Sequence, residues 1–155
     1  MNKIQVSVIG GASFDKKNEI IAYQLGQLIA QKGYVLVCGG LCGVMEAAAK
    51  GAKSENGITV GILPDYDKKS ANPYIDIVIP TGLNHSRNIA VASSGDVVIA
   101  VGGEYGTLSE ICFALKLDIP VITINSWDIP KLRTIKAETP VEALSLAESF
   151  ILKES

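Results

Sequence analysis

A guanidinium and a carboxylate, Arg87 and Glu110, stand on either side of the apolar run at 97–101, and a glycine-rich turn separates that run from the glutamate. The turn is Gly102-Gly103-Glu104-Tyr105-Gly106-Thr107. A strand, a glycine turn and a helix start place free backbone N–H groups and the positive end of a helix beside an anion. Glycine lets a ligand approach the chain closely, and Thr107 is placed to cap the helix or to reach a phosphate with its hydroxyl. An arginine and a carboxylate around a bound phosphate suit cleavage of an N-glycosidic bond. Positive charge develops on the sugar in that transition state, a carboxylate stabilises it, and arginine holds the phosphate or the base. Arg87 and Glu110 are therefore the candidate catalytic pair. Gly102, Gly103, Tyr105, Gly106 and Thr107 are candidate phosphate- or nucleotide-binding residues.

The same letters carry a second meaning. Thr107-Leu108-Ser109-Glu110 spells a capping box, in which the glutamate only satisfies a backbone N–H. The chain repeats that pattern at Thr139-Pro140-Val141-Glu142, with no glycine turn before it. Spacing alone leaves both roles open for Glu110, and leaves Arg87 open between a ligand contact and a surface ion pair. Asp96 is expected as a turn or capping residue and His85 as a polar loop residue.

Two further glycine turns follow apolar runs and supply the remaining candidates. Residues 4–9 form an expected strand ending at Gly10-Gly11-Ala12-Ser13, which adds Gly10, Gly11 and Ser13. Residues 34–38 form a second, uniformly apolar strand ending at Gly39-Gly40-Leu41-Cys42-Gly43, which adds Gly39, Gly40 and Gly43. Between them Ile21, Leu25, Leu28 and Ile29 repeat at helical spacing, predicting a helix over 16–32 that stops at Gly33. A short helix is expected over 44–50, its stripe of Val44, Ala47, Ala48 and Gly51 permitting close approach to the sheet. Strands are expected at 58–63, 74–79 and 120–124, and helices at 87–94, after the opening motif and from Thr139 onward. Residues 64–73 form a polar loop whose Asp65 and Asp67 are expected to be solvated. Strands that alternate with helices predict a single doubly wound Rossmann-like α/β domain over 1–155. Its mostly parallel sheet has about six strands, with helices on both faces. The three glycine turns would then lie at the carboxyl edge, where such sheets bind ligands.

Composition narrows the class. The chain has 155 residues, 48% of them hydrophobic and 19% charged, a mean hydropathy of +0.30 and a formal net charge of −2. That apolar balance suits a doubly covered sheet and leaves room for an oligomer interface. A mildly acidic chain argues against nucleic-acid or membrane-surface partners. No apolar run reaches the roughly 18 residues of a membrane span, and the first residues alternate like a strand instead of a signal peptide. A cytoplasmic location is expected. Three cysteines, an odd number, favour reduced thiols, and a single histidine makes a metal site unexpected. No strong Walker A and no clean G-x-G-x-x-G motif points to ATP hydrolysis or NAD binding.

The ordered motifs resemble those of the LOG ("Lonely Guy") family, a Rossmann-type superfamily. Residues 102–110 resemble its P-G-G-x-G-T-x-x-E, residues 39–45 resemble its G-G-G-x-x-G-x-M, and Arg87 falls where that family has its arginine. The resemblance implies phosphoribohydrolase chemistry, in which a nucleoside 5′-monophosphate is split into base and ribose 5-phosphate with no organic cofactor. Arg87 and Glu110 would act, and Gly103, Tyr105, Gly106 and Thr107 would hold the phosphate of a small ligand. It also implies a homodimer or higher homo-oligomer. Three positions depart from the pattern. Gly102 replaces a proline, Glu104 replaces a glycine, and Asn88 follows the arginine where lysine is usual. Glu104 should weaken anion binding unless it points away or pairs with a cation. These changes look closer to a sister branch containing molybdenum-cofactor carrier proteins, which bind a phosphorylated pterin without turning it over. A phosphoribohydrolase is thus the first expectation, and a non-catalytic binder or carrier of a nucleotide or pterin phosphate the second.

Overall fold

The computed structural model describes residues 2–152. Seven strands form one parallel sheet: β1 (Gln5–Gly10), β2 (Val35–Cys38), β3 (Ile58–Leu63), β4 (Ile77–Pro80), β5 (Val97–Val101), β6 (Val121–Ile124) and β7 (Ile135–Lys136). Their spatial order is β4-β3-β2-β1-β5-β6-β7. Successive strands run outward from β1 to β4, and the chain then returns to the other side of β1 at β5. The order thus reverses between β1 and β5, which opens a crevice at their carboxyl ends. β2, β1 and β5 are consecutive in the sheet and carry the three glycine turns, so the turns sit side by side.

The helices are α1 (Lys16–Gln31), α2 (Val44–Ser54), α3 (Arg87–Ser94), α4 (Tyr105–Lys116) and α5 (Pro140–Ile151). α1, α2 and α5 cover one face through Leu25, Ile29, Ala48 and Leu144, packed on Val6, Val8, Leu36 and Ile99. α3 and α4 cover the other through Val91, Ala92, Ile111 and Ala114, packed on Ile9, Val37, Val98 and Ala100. Strand residues alternate between these two cores because successive side chains leave opposite faces. Both faces are buried at the centre of the sheet, so β2 and β5 are apolar throughout.

Sequence and structure differ in a few elements. The sheet has a seventh strand, the two-residue β7, too short to leave a pattern. α2 runs four residues past 50, and β4 begins at Ile77 instead of 74 and ends on Pro80. Proline is tolerated there because β4 is an edge strand. The small stripe of α2 brings it close to α1 as well as to the sheet. A Cβ on Gly51 would lie 2.0 Å from the Tyr23 carbonyl oxygen, and one on Gly26 2.0 Å from that of Ala48. The loop at 64–73 is pinned to the second glycine turn. Asn72 donates from its backbone to the Gly40 carbonyl and from its side chain to that of Leu41. Asp67 accepts from Lys69 N–H, and Asp65 accepts from the Ser70 hydroxyl. Asp96 accepts from Gln5 N–H and ties β5 to β1.

Candidate functional site

β5 ends in Gly102 (φ +59°) and Gly103 (φ +130°), backbone that side-chain-bearing residues avoid. α4 then starts at Tyr105, three residues before Leu108, where it would begin if Thr107 were the cap. Glu104 is the N-cap residue, and its side chain makes no capping hydrogen bond. The helical ladder begins with Leu108 N–H donating to the Glu104 carbonyl at 3.1 Å. The amides of Tyr105, Gly106 and Thr107 therefore have no partner in their own helix, and no side chain caps them. Thr107 is buried in the first turn and its hydroxyl makes no hydrogen bond among the described residues. It is a lining residue rather than a cap.

The Glu104 carboxylate leans across the crevice toward the first glycine turn, where a Cβ on Gly11 would lie 3.2 Å from its Oε1. It therefore stays off the amides of its own helix. Its backbone carbonyl accepts from Trp127 Nε1–H at 3.1 Å, and the Trp127 ring sits 5.9 Å from that of Tyr105, which is 82% exposed.

The crevice holds about 410 Å³. Of the candidate residues, Gly10, Gly11, Gly39, Arg87, Gly106, Thr107 and Glu110 line it together. Gly40, Gly43, Gly102 and Gly103 shape the turns behind the lining, while Ser13 and Tyr105 are exposed outside it. Ala12, Pro64, Asn84, His85 and Asn88 also line the crevice and were not among the candidates. Nothing in their spacing marks them. Ala12 lies in the turn after β1 and Pro64 directly after β3, while Asn84, His85 and Asn88 arrive on the segment from β4 into α3.

Arg87 opens α3 and Glu110 lies in the second turn of α4, on neighbouring helices of one face. Both are buried, 8% and 6% exposed, and Arg87 Nη1 lies 3.7 Å from Glu110 Oε1. That distance is an ion pair without a hydrogen bond. Arg87 Nη1 donates instead to Asn88 Oδ1 at 2.7 Å, Nη2 points at the Gly39 carbonyl at 3.5 Å, and Nε is buried without a partner. Gly39 makes room for this: a Cβ there would fall 2.6 Å from Met45 Sδ and 2.8 Å from Arg87 Nη2. Burial pushes the Glu110 carboxyl up to about 8, with Arg87 opposing the shift. Burial also lowers the Arg87 pKa from its ordinary value, against the pull of Glu110. The crevice floor is thus a desolvated arginine beside a glutamic acid that is largely protonated at neutral pH.

Among the described residues, no group of three or more His, Cys, Asp or Glu side chains is placed to hold a metal ion. Nor is any helix long and apolar enough to cross a membrane.

These features define a doubly wound α/β protein with an uncapped helix start at its topological switch point. Residues 3–151 match the SLOG cluster4 family model, and the chain belongs to that LOG-like family. A protein from Archaeoglobus fulgidus of uncharacterised role is 46% identical over 99% of this chain and 100% of its own length. A probable cytokinin riboside 5′-monophosphate phosphoribohydrolase from Oryza sativa subsp. japonica is 32% identical over 69% of this chain, which spans 46% of the rice protein. Among solved structures, the molybdenum cofactor binding protein of Rippkaea orientalis superposes with a TM-score of 0.92 and 40% identity, covering 97% of this chain and 99% of that one. The molybdenum cofactor carrier protein of Chlamydomonas reinhardtii gives 0.90 and 30% identity, covering 97% and 99%.

Proposed function

We propose that the protein binds and carries a small phosphorylated ligand built on a flat heterocycle, of the pterin or nucleotide class, without cleaving it. The observation that carries this reading is the open start of α4. The amides of Tyr105, Gly106 and Thr107 have no partner in their helix and no side-chain cap, Gly106 and Thr107 line the crevice, and the Glu104 carboxylate lies toward Gly11. The monoester would sit on the α4 amides, Arg87 would meet its charge, and the rest of the crevice would take the ring. No organic cofactor is needed for this role.

Two observations favour carriage over cleavage. Two solved structures that each cover 97% of this chain, at 40% and 30% identity, are of proteins named for binding or carrying molybdenum cofactor, whereas the similarity to the rice protein covers 69% of this chain. In addition, stabilising an oxocarbenium-like sugar needs an ionised carboxylate, and burial holds Glu110 in its neutral form up to about 8.

The experiment is to incubate purified protein with AMP, N6-substituted AMP and a pterin phosphate. Micromolar retention with no ribose 5-phosphate is expected. Failure to bind any of the three overturns the reading. The second reading is phosphoribohydrolase activity, which the Arg87–Glu110 approach at 3.7 Å in the crevice favours. Ribose 5-phosphate release that disappears in Glu110→Ala would establish it.

We also propose self-association. Ile58, Ile77 and Ile79 are exposed on β3 and the edge strand β4. Sedimentation as a monomer at high concentration would reject it.

A further inference from the structure

Beyond the Gly39 carbonyl that Nη2 meets at 3.5 Å, Arg87 has two side-chain partners within reach on the crevice floor and is hydrogen-bonded to only one. Asn88 Oδ1 accepts from Arg87 Nη1 at 2.7 Å, while Glu110 Oε1 stands off at 3.7 Å. Asn88 is itself fixed from the other side: its Nδ2 donates to Ser109 Oγ at 3.1 Å, and Ser109 Oγ–H donates to the Gly106 carbonyl at 2.6 Å. Asn88 is buried, 6% exposed, so these bonds do not compete with bulk water. Arg87, Asn88, Ser109 and Gly106 therefore form one chain running from the crevice floor to the first turn of α4.

We propose that Asn88 is a positioning residue that holds the Arg87 guanidinium off Glu110 and so keeps the crevice floor from closing into a hydrogen-bonded ion pair. Two consequences follow for the site. Arg87 stays available to an incoming anion, because its buried Nε–H is unspent and its Nη1 is held by a neutral acceptor. Glu110 stays without a hydrogen-bonded cation, so burial governs its protonation. The groups that face or lie behind Glu110 are Arg87 on α3, the buried Cys38 thiol on β2, and His85 and Glu104 at the crevice rim. Arg87 is the one cation that its own partner can move toward or away from Glu110. The inference concerns the same crevice as the carrier reading, but it needs no ligand, so either can fail alone.

The test is a carbon-13 NMR titration of the Glu110 carboxyl in ligand-free protein, wild type against Asn88→Ala and Asn88→Asp. The alanine variant frees Arg87 to close on Glu110. An opposite charge brought within hydrogen-bond reach lowers a carboxyl pKa by about 1–3 units, so the midpoint should fall. The aspartate variant binds Arg87 harder and adds a negative charge nearby, so the midpoint should rise. A loosened core would move both variants the same way. Shifts in one direction, or no shift in either, overturn the proposal. Should the Asn88 variants not fold, Ser109→Ala removes the far anchor at a half-buried position. A smaller fall is then expected, and an unchanged midpoint overturns the proposal.

Discussion

Residues 107–110 and residues 139–142 share one pattern, threonine with glutamate three positions later, and the fold uses them for opposite purposes. At α5 the pattern is a cap. Thr139 Oγ1 accepts from Glu142 N–H at 3.1 Å, and Glu142 Oε2 reaches back to accept from Glu138 N–H at 2.8 Å. Both side chains are spent on the backbone and lie at the surface. At α4 the helix has already begun by Thr107, because the chain turns at Gly102 and Gly103 and enters the helix at Tyr105. Thr107 and Glu110 then fall inside the helix on its buried side, where neither has backbone to satisfy. The lesson is one of register: moving the helix start by three residues converts a structural device into two crevice-lining groups.

The largest expected difference between the two regions is in how stability depends on pH. Glu110 ordinarily titrates near 4.5 when exposed and is pushed up to about 8 by burial. Between those values the folded protein holds a proton that the unfolded chain has released. Stability therefore falls as pH rises through that window, by up to about 1.4 kcal/mol per pH unit. Thermal melts of the ligand-free protein from pH 5 to 8 should show this slope, and Glu110→Gln should remove it. Glu142→Gln should leave the slope intact.

Next in size is ligand binding. Thr107→Val keeps the shape and removes the free hydroxyl, and should weaken retention of AMP or a pterin phosphate roughly tenfold, about the worth of one hydrogen bond. The melting temperature should stay unchanged. Equal retention by Thr107→Val would take the hydroxyl out of the site.

Thr139→Ala should do the reverse. It loses a cap worth about 1 kcal/mol, which for a domain of this size lowers the melting temperature by about 2–4 °C, with no effect on ligand retention. Altered retention would mean that α5 communicates with the crevice.

The smallest effect belongs to Glu142→Gln. An amide oxygen accepts the Glu138 N–H as a carboxylate does, so only a few tenths of a kcal/mol of helix-dipole attraction should be lost.

Much of this molecule is legible in the chain. Apolar runs that end in paired glycines, alternating with helical periodicity, specify a parallel sheet with helices on both sides. The reason is local: β-branched strands bounded by glycine and amphipathic helices each have one stable way to bury their apolar surface. The side-by-side glycine turns follow from the same pattern once the order reverses beside β1. What composition and spacing leave open is the meaning of Glu110. Its role depends on where α4 starts and on which face of that helix meets α3. Asn88 is more hidden still. Its bonds run to an immediate neighbour and to Ser109, 21 residues away, and neither leaves a periodic trace. Only the tertiary structure sets Arg87 nearer to Asn88 than to Glu110 and withdraws that glutamate from water, because a charge is expensive or harmless according to what surrounds it in space.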